Sequence, residues 1–104
     1  MMNIITVSEF IKIKSDPNSF LLDVRTKEEF HFSNIGGLNI PLDQIEKRIS
    51  EIPKDKNIYC LCHHGVRSQH ACMILEKNDF NDPTNISGGI DAWSNSIDPT
   101  VKRY

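Results

Sequence analysis

Residues 58–78 read Ile58-Tyr59-Cys60-Leu61-Cys62-His63-His64-Gly65-Val66-Arg67-Ser68-Gln69-His70-Ala71-Cys72-Met73-Ile74-Leu75-Glu76-Lys77-Asn78, and the hydrophobic period changes in the middle of this stretch. Ile58 to Cys62 is a short apolar run of strand length. Ala71, Ile74 and Leu75, with Cys72 and Met73, form the apolar side of a helix from about Arg67 to Asn78. A strand therefore feeds a helix through a turn that contains Gly65. Helical crossovers are the usual way to join neighbouring parallel strands, so the stretch argues for an α/β domain.

The flanking sequence repeats the alternation. Upstream, Phe20 to Val24 and Leu38 to Ile40 read as strands, and Asp16-Pro17-Asn18-Ser19 is turn chemistry. Thr6 with Glu9, and Thr26 with Glu29, fit the Ser/Thr-x-x-Glu capping box, in which side chains satisfy the first unpaired amides of a helix. Leu42, Ile45, Ile49 and Ile52 recur at helical spacing, which predicts a helix that lays one face on a sheet and is closed by Pro53. Downstream, Thr84 to Ser87 reads as a short strand, Gly88-Gly89 as a turn, and Ile90 to Ser94 as a short helix holding Trp93 in the core. The expected architecture is a mostly parallel central sheet with helices on both faces. Ligands of such sheets gather outside the carboxyl ends of the strands, where Cys62 stands.

Composition narrows the function. With 104 residues the chain has the length of one domain, and 38% hydrophobic residues suffice for a core without metals or disulfides. Fourteen acidic against twelve basic residues give a net charge of −2, and the basic residues are scattered, so nucleic acid is not an expected partner. There is no apolar run near 18 residues, and Met1 to Asp16 alternates polar and apolar residues unlike a signal peptide. Three cysteines cannot all pair internally. These features predict a cytoplasmic protein with no membrane partner.

The segment Cys62-His63-His64-Gly65-Val66-Arg67-Ser68 puts a thiol, two imidazoles, a glycine and an arginine within seven residues. An ordinary thiol, with a pKa of about 8.5, is only about 3% ionised at pH 7. The following helix supplies unpaired amides and a dipole, and Arg67 supplies a cation, all of which favour negative charge. Gly65 lets the backbone turn its N–H groups inward without a Cβ clash. Cys60 and Cys72 read as core residues. A Cys60–Cys62 disulfide is disfavoured because side chains at i and i+2 of a strand project in parallel. The cysteines and histidines lack zinc-ligand spacing, so no metal is expected. Asp23 and Arg25, at a strand end, are expected to pair within the fold, for instance Arg25 with Glu28 or Glu29, rather than to steer chemistry.

Several motifs taken together are similar to one family. Leu22-Asp23-Val24-Arg25-Thr26 with Glu28-Glu29-Phe30, Asn39-Ile40-Pro41-Leu42, the Cys62 loop, and Gly88-Gly89-Ile90-Asp91-Ala92-Trp93 resemble a rhodanese domain over nearly the whole chain. The resemblance implies that residues 1–104 form a single rhodanese-like three-layer α/β domain. It also implies a thiosulfate sulfurtransferase without a cofactor. A Cys62 thiolate would attack the sulfane sulfur of thiosulfate or a persulfide donor, and the resulting persulfide would pass its outer sulfur to cyanide, a thiol or a protein. Backbone amides from His63 to Arg67 would cradle the persulfide. The Arg67 side chain would either orient the loop or attract the anionic donor. His63, His64, Gly65, Val66 and Ser68 complete the substrate-binding loop, the two histidines without an acid/base partner.

The sequence departs from the family pattern at two places. Gly36-Gly37 stands where Pro-Gly is common, and Asp79 where a helix-ending glycine is usual. Rhodanese-fold phosphatases and arsenate reductases, the rival enzymatic reading, place five residues between Cys and Arg. Cys62 and Arg67 enclose four, a tighter ring suited to one sulfur atom. A rival from another class is a protein-binding module that presents the loop without turnover. The stretch Ile97 to Tyr104 is similar to the endings of rhodanese domains fused to adenylyltransferases, which points to a sulfur-carrier or cysteine desulfurase protein as partner.

Overall fold

The computed structural model describes residues 1–104. Five parallel strands form its sheet in the order β1-β5-β4-β2-β3: β1 (Asn3–Ile5), β2 (Ser19–Asp23), β3 (Leu38–Asn39), β4 (Asn57–Leu61) and β5 (Thr84–Ile86). The helices are α1 (Val7–Ile13), α2 (Lys27–Phe32), α3 (Val66–Lys77) and α4 (Gly89–Ser96). No helix is long and apolar enough to cross a membrane.

The period-2 alternation of β4 builds two cores. Ile58, Cys60 and Cys62 pack with Leu22, Val24, Ala71, Cys72 and Leu75 on the α3 face. Leu61, with Tyr59 partly buried beside it, packs with Val7, Phe10, Ile86, Ile90 and Trp93 on the α1 and α4 face. Phe10 joins that second core to the sheet, with its ring centroid 5.3 Å from Tyr59 and 6.2 Å from Trp93. The expected mostly parallel sheet is parallel throughout, with a helical layer on each face.

Both capping boxes form. The Thr6 hydroxyl accepts from the Glu9 amide at 3.1 Å while Glu9 accepts from the Thr6 amide at 2.8 Å. Thr26 and Glu29 repeat the exchange, at 3.1 Å each way. At the other end of a helix, Asp79 takes up φ +65 after α3. Its amide bonds to the Glu76 carbonyl at 3.1 Å and the Phe80 amide to the Leu75 carbonyl at 3.0 Å, a complete Schellman stop in which Asp replaces glycine.

The helix predicted over Leu42 to Ile52 is corrected to two 3-10 turns, Leu42–Gln44 and Ile49–Glu51. No side chain caps either turn. Three β-branched isoleucines further lower helix propensity. The apolar side survives, with Ile45 and Ile52 buried, because 3-10 turns also bring i and i+3 together. Strand β1 escaped the sequence reading: three residues with mostly exposed side chains carry no period, and only pairing with β5 defines them.

Gly36 and Gly37 adopt φ +92 and +86. Proline, fixed near φ −65, cannot adopt the conformation that Gly36 takes in this turn. The Gly37 Cα lies against β2, where a Cβ would fall 2.6 Å from the Leu21 carbonyl oxygen, whereas a Cβ at Gly36 meets nothing within 4 Å. Gly36→Ala is expected to cost about 1 kcal/mol of left-handed strain, and Gly37→Ala at least about twice that because the backbone must also shift. Urea unfolding of the two variants measures the difference, and equal costs would contradict the clash.

Candidate functional site

The β4 strand ends at Leu61, and the next residue, Cys62, is 1% exposed beneath the loop that leads to α3. Gly65 turns the chain at φ +113, a conformation open to glycine, and so aims its amide at the Cys62 Sγ at 3.0 Å. No side chain caps α3. The amides of Val66, Arg67 and Ser68 precede the first intrahelical bond, from Gln69 N to the Gly65 carbonyl at 3.3 Å, and are free to hold a ligand.

Helix α4 fixes the other side of the loop. The Ile90 amide donates to the Cys62 carbonyl at 2.9 Å and the Asp91 amide to the His63 carbonyl at 3.1 Å. Those carbonyls lie so close to Gly89 that a Cβ there would collide with both, which explains the second glycine of Gly88-Gly89. Because C=O and N–H point in opposite directions across a peptide plane, the His63 and His64 amides face away from α4.

The Cys62 Sγ also lies 3.2 Å from the buried Ser68 hydroxyl. Ser68 Oγ in turn donates to Asn85 Oδ1 on β5 at 2.5 Å, and Asn85 Nδ2 donates to the Gly65 carbonyl at 3.1 Å. Cys60 and Cys72 are fully buried beneath the site. Contact with Cys72, and then burial, holds the Cys60 thiol well above the ordinary range, so it stays protonated.

Arg67 is tied to Glu29 of α2 by two bonds, Nη1 to Oε1 at 2.6 Å and Nη2 to Oε2 at 2.8 Å. Of the two roles expected for its side chain, this geometry favours orienting the loop. The Arg67 hydrogen bonds, then the Tyr104 hydroxyl and the Thr26 amide, hold the Glu29 carboxyl far below its usual range against the opposing effect of burial. Arg25 pairs within the fold as expected, but with Asp23 rather than with Glu28 or Glu29. Arg25 is fully buried and bonds Asp23 at 2.7 Å, the Ser33 carbonyl at 2.7 Å and the Tyr104 hydroxyl at 2.9 Å. It reaches only the backbone carbonyl of Glu29, at 3.4 Å, because the Glu29 carboxylate faces Arg67.

The two loop histidines have different surroundings. His63 stacks on Tyr104 with centroids 4.0 Å apart and planes 6° from parallel. Burial, and then neighbouring His64, pushes its pKa down, so the ring stays neutral at pH 7. His64 is exposed and has a carboxylate neighbour after all, Asp91 Oδ2 at 3.9 Å from Nδ1. Val66 turns its side chain to solvent and offers only its amide. Sequence reasoning missed Asn85 and Tyr104. A polar residue inside a short apolar strand was the available signal for Asn85, and nothing local marks Tyr104.

Comparison with known proteins places these features in context. The family model described as a rhodanese-like domain matches residues 6–96. The sulfurtransferase of Allochromatium vinosum is 38% identical over 82 residues, covering 78% of this chain and 77% of that protein. YrkF of Bacillus subtilis is 37% identical over 84 residues, 80% of this chain, although the chain spans only 45% of YrkF. The crystal structure of a rhodanese-like domain protein from Staphylococcus aureus superposes with a TM-score of 0.81 at 32% identity, over 88% of this chain and 91% of that one.

The Glu29–Arg67 pair gives a pH-dependent prediction. A carboxylate whose folded pKa is depressed adds stability that is complete above its unfolded pKa, near 4.5, and is lost as pH falls towards the folded value. The pair is partly exposed, so Glu29→Gln is expected to cost about 1–2 kcal/mol at pH 7. Denaturant melts at stepped pH will show the gap between wild type and variant closing below about pH 4.5. A gap that stays constant down to pH 2 would contradict this assignment.

Proposed function

The chain belongs to the rhodanese-like domain family, and from that membership we propose that it is a sulfurtransferase that carries sulfane sulfur on Cys62. One observation carries the reading: the Cys62 sulfur accepts the Gly65 amide at the foot of a loop whose next amides, at the start of α3, are uncapped. A thiolate, and then the anionic outer sulfur of a persulfide, is the group such a site stabilises.

The Cys62 thiolate attacks the outer sulfur of thiosulfate. The donor's S–S bond breaks, sulfite leaves with the electron pair, and Cys62 keeps the transferred sulfur as a persulfide. A nucleophile such as cyanide then takes that sulfur, releasing thiocyanate and the Cys62 thiolate. Burial of Cys62 suits a carrier: the outer sulfur stands about 2 Å beyond Sγ, so the loaded form reaches out where the free thiol does not. His63, His64, Gly65, Val66, Arg67 and Ser68 line the loop, contributing mainly backbone amides and, through Arg67, its orientation. A groove lined by Val24, Thr26, Pro41, Leu42, Asp43, Glu46 and Ile74 opens beside Arg67, and an acceptor such as a thiol on a sulfur-carrier protein would approach the loop from that side.

Incubation with thiosulfate followed by intact-mass measurement is expected to show one added sulfur that cyanide removes as thiocyanate. Cys62→Ser should neither gain the sulfur nor form thiocyanate, a loss of roughly a thousandfold or more. An unchanged wild-type mass would support the protein-binding module. Thiocyanate release by Cys62→Ser at the wild-type rate would end the proposal.

A further inference from the structure

Asn85 spans the two ends of the loop from a different strand. It is 6% exposed, stands beside Cys60 in the β4–β5 register, and uses both halves of its amide. Its orientation is fixed by chemistry, since the Gly65 carbonyl only accepts and so must face the NH2 group, at 3.1 Å. The amide oxygen is thereby left for the Ser68 hydroxyl, at 2.5 Å.

Ser68 has a single hydroxyl proton, and two acceptors are within reach of it. Donated to Asn85, it leaves the Ser68 oxygen to accept from a Cys62 S–H across 3.2 Å. Donated to a Cys62 thiolate instead, it leaves two oxygens 2.5 Å apart with no proton between them. Asn85 and the sulfur anion therefore compete for one proton.

We propose that Asn85 is a positioning residue for Cys62 that acts through Ser68, withholding the Ser68 proton from the sulfur so that Cys62 carries less thiolate, but of a more reactive kind. The inference rests on reading Cys62 as the sulfur carrier, and the geometry gives it a direction. An anion relieved of one hydrogen bond is harder to form and a stronger nucleophile, because thiolate reactivity rises with basicity along a slope of about 0.4–0.5. The other groups around Cys62 are the Arg67 guanidinium held by Glu29, the loop imidazoles of His63 and His64 with Tyr104 and Asp91 behind them, and the Cys60 and Cys72 thiols. None of them hydrogen-bonds to the side chain of Ser68 or Asn85.

The test reads thiolate formation apart from sulfur transfer. The pH titration of the 240 nm absorbance that Cys62→Ser removes gives a midpoint for each variant, and the rate of iodoacetamide alkylation at Cys62, followed by mass, gives a plateau at high pH. Asn85→Ala is expected to lower the midpoint by about one pH unit and the plateau rate about threefold. Asn85→Asp, close to isosteric and still an acceptor, should move the midpoint up, since it keeps the proton and adds a negative charge. In a Ser68→Ala background, Asn85→Ala should change neither quantity. An unmoved or raised midpoint in Asn85→Ala, or an equal drop without Ser68, would overturn the inference. Thiosulfate loading of the same variants reports separately on sulfur transfer: absence of a persulfide in every protein, wild type included, would defeat the functional reading while leaving the titration result standing.

Discussion

The 3.0 Å contact between the Gly65 amide and the Cys62 sulfur is the constraint around which the molecule is arranged. It requires a left-handed residue three positions after the sulfur, and the carbonyls of that tight turn are satisfied from outside the loop. Helix α4 takes the carbonyls of Cys62 and His63, Asn85 takes the carbonyl of Gly65, and α3 begins without a cap. The carbonyls nearest the sulfur are thus bonded away from it, which keeps partial negative charge clear of the place where an anion would form.

A second layer holds that arrangement from below. The Asp23–Arg25 ion pair is fully buried at the end of β2, where its desolvation offsets much of its Coulomb gain. Its value is geometric. Arg25 fastens the Ser33 carbonyl and the Tyr104 hydroxyl, Tyr104 donates to Glu29 at 2.7 Å, and Glu29 grips Arg67. Residues 23, 25, 29, 67 and 104 form one connected polar network that ends on the loop. Tyr104 reaches the loop twice, since its ring also carries His63.

Much of this architecture was legible because the signals were local. Both capping boxes name their helices by a three-residue spacing, and the period change after Cys62 separates β4 from α3. The Cys62-x-x-Gly-x-Arg-Ser spacing marks the candidate site without any fold. Where local signals were weak, the reading erred. Leu42, Ile45, Ile49 and Ile52 fit a helical and a 3-10 spacing alike, and no capping signal distinguishes the two. β1 is a strand only because β5 lies beside it.

By itself the sequence determined the alternation of strands and helices, the turn at Gly65, and which sulfur stands at a strand end, because each depends on residues within a few positions of one another. Which charges pair, how far His63 can titrate, and what Ser68 does with its proton were decided only by the tertiary structure. Glu29 meets Arg67 across 38 residues, Arg25 meets Tyr104 across 79, and Ser68 meets Asn85 across 17. Hydrogen bonding and ion pairing act through space over about 3 Å. Which side chains come that close is set by strand order and helix packing, and no spacing along the chain encodes it.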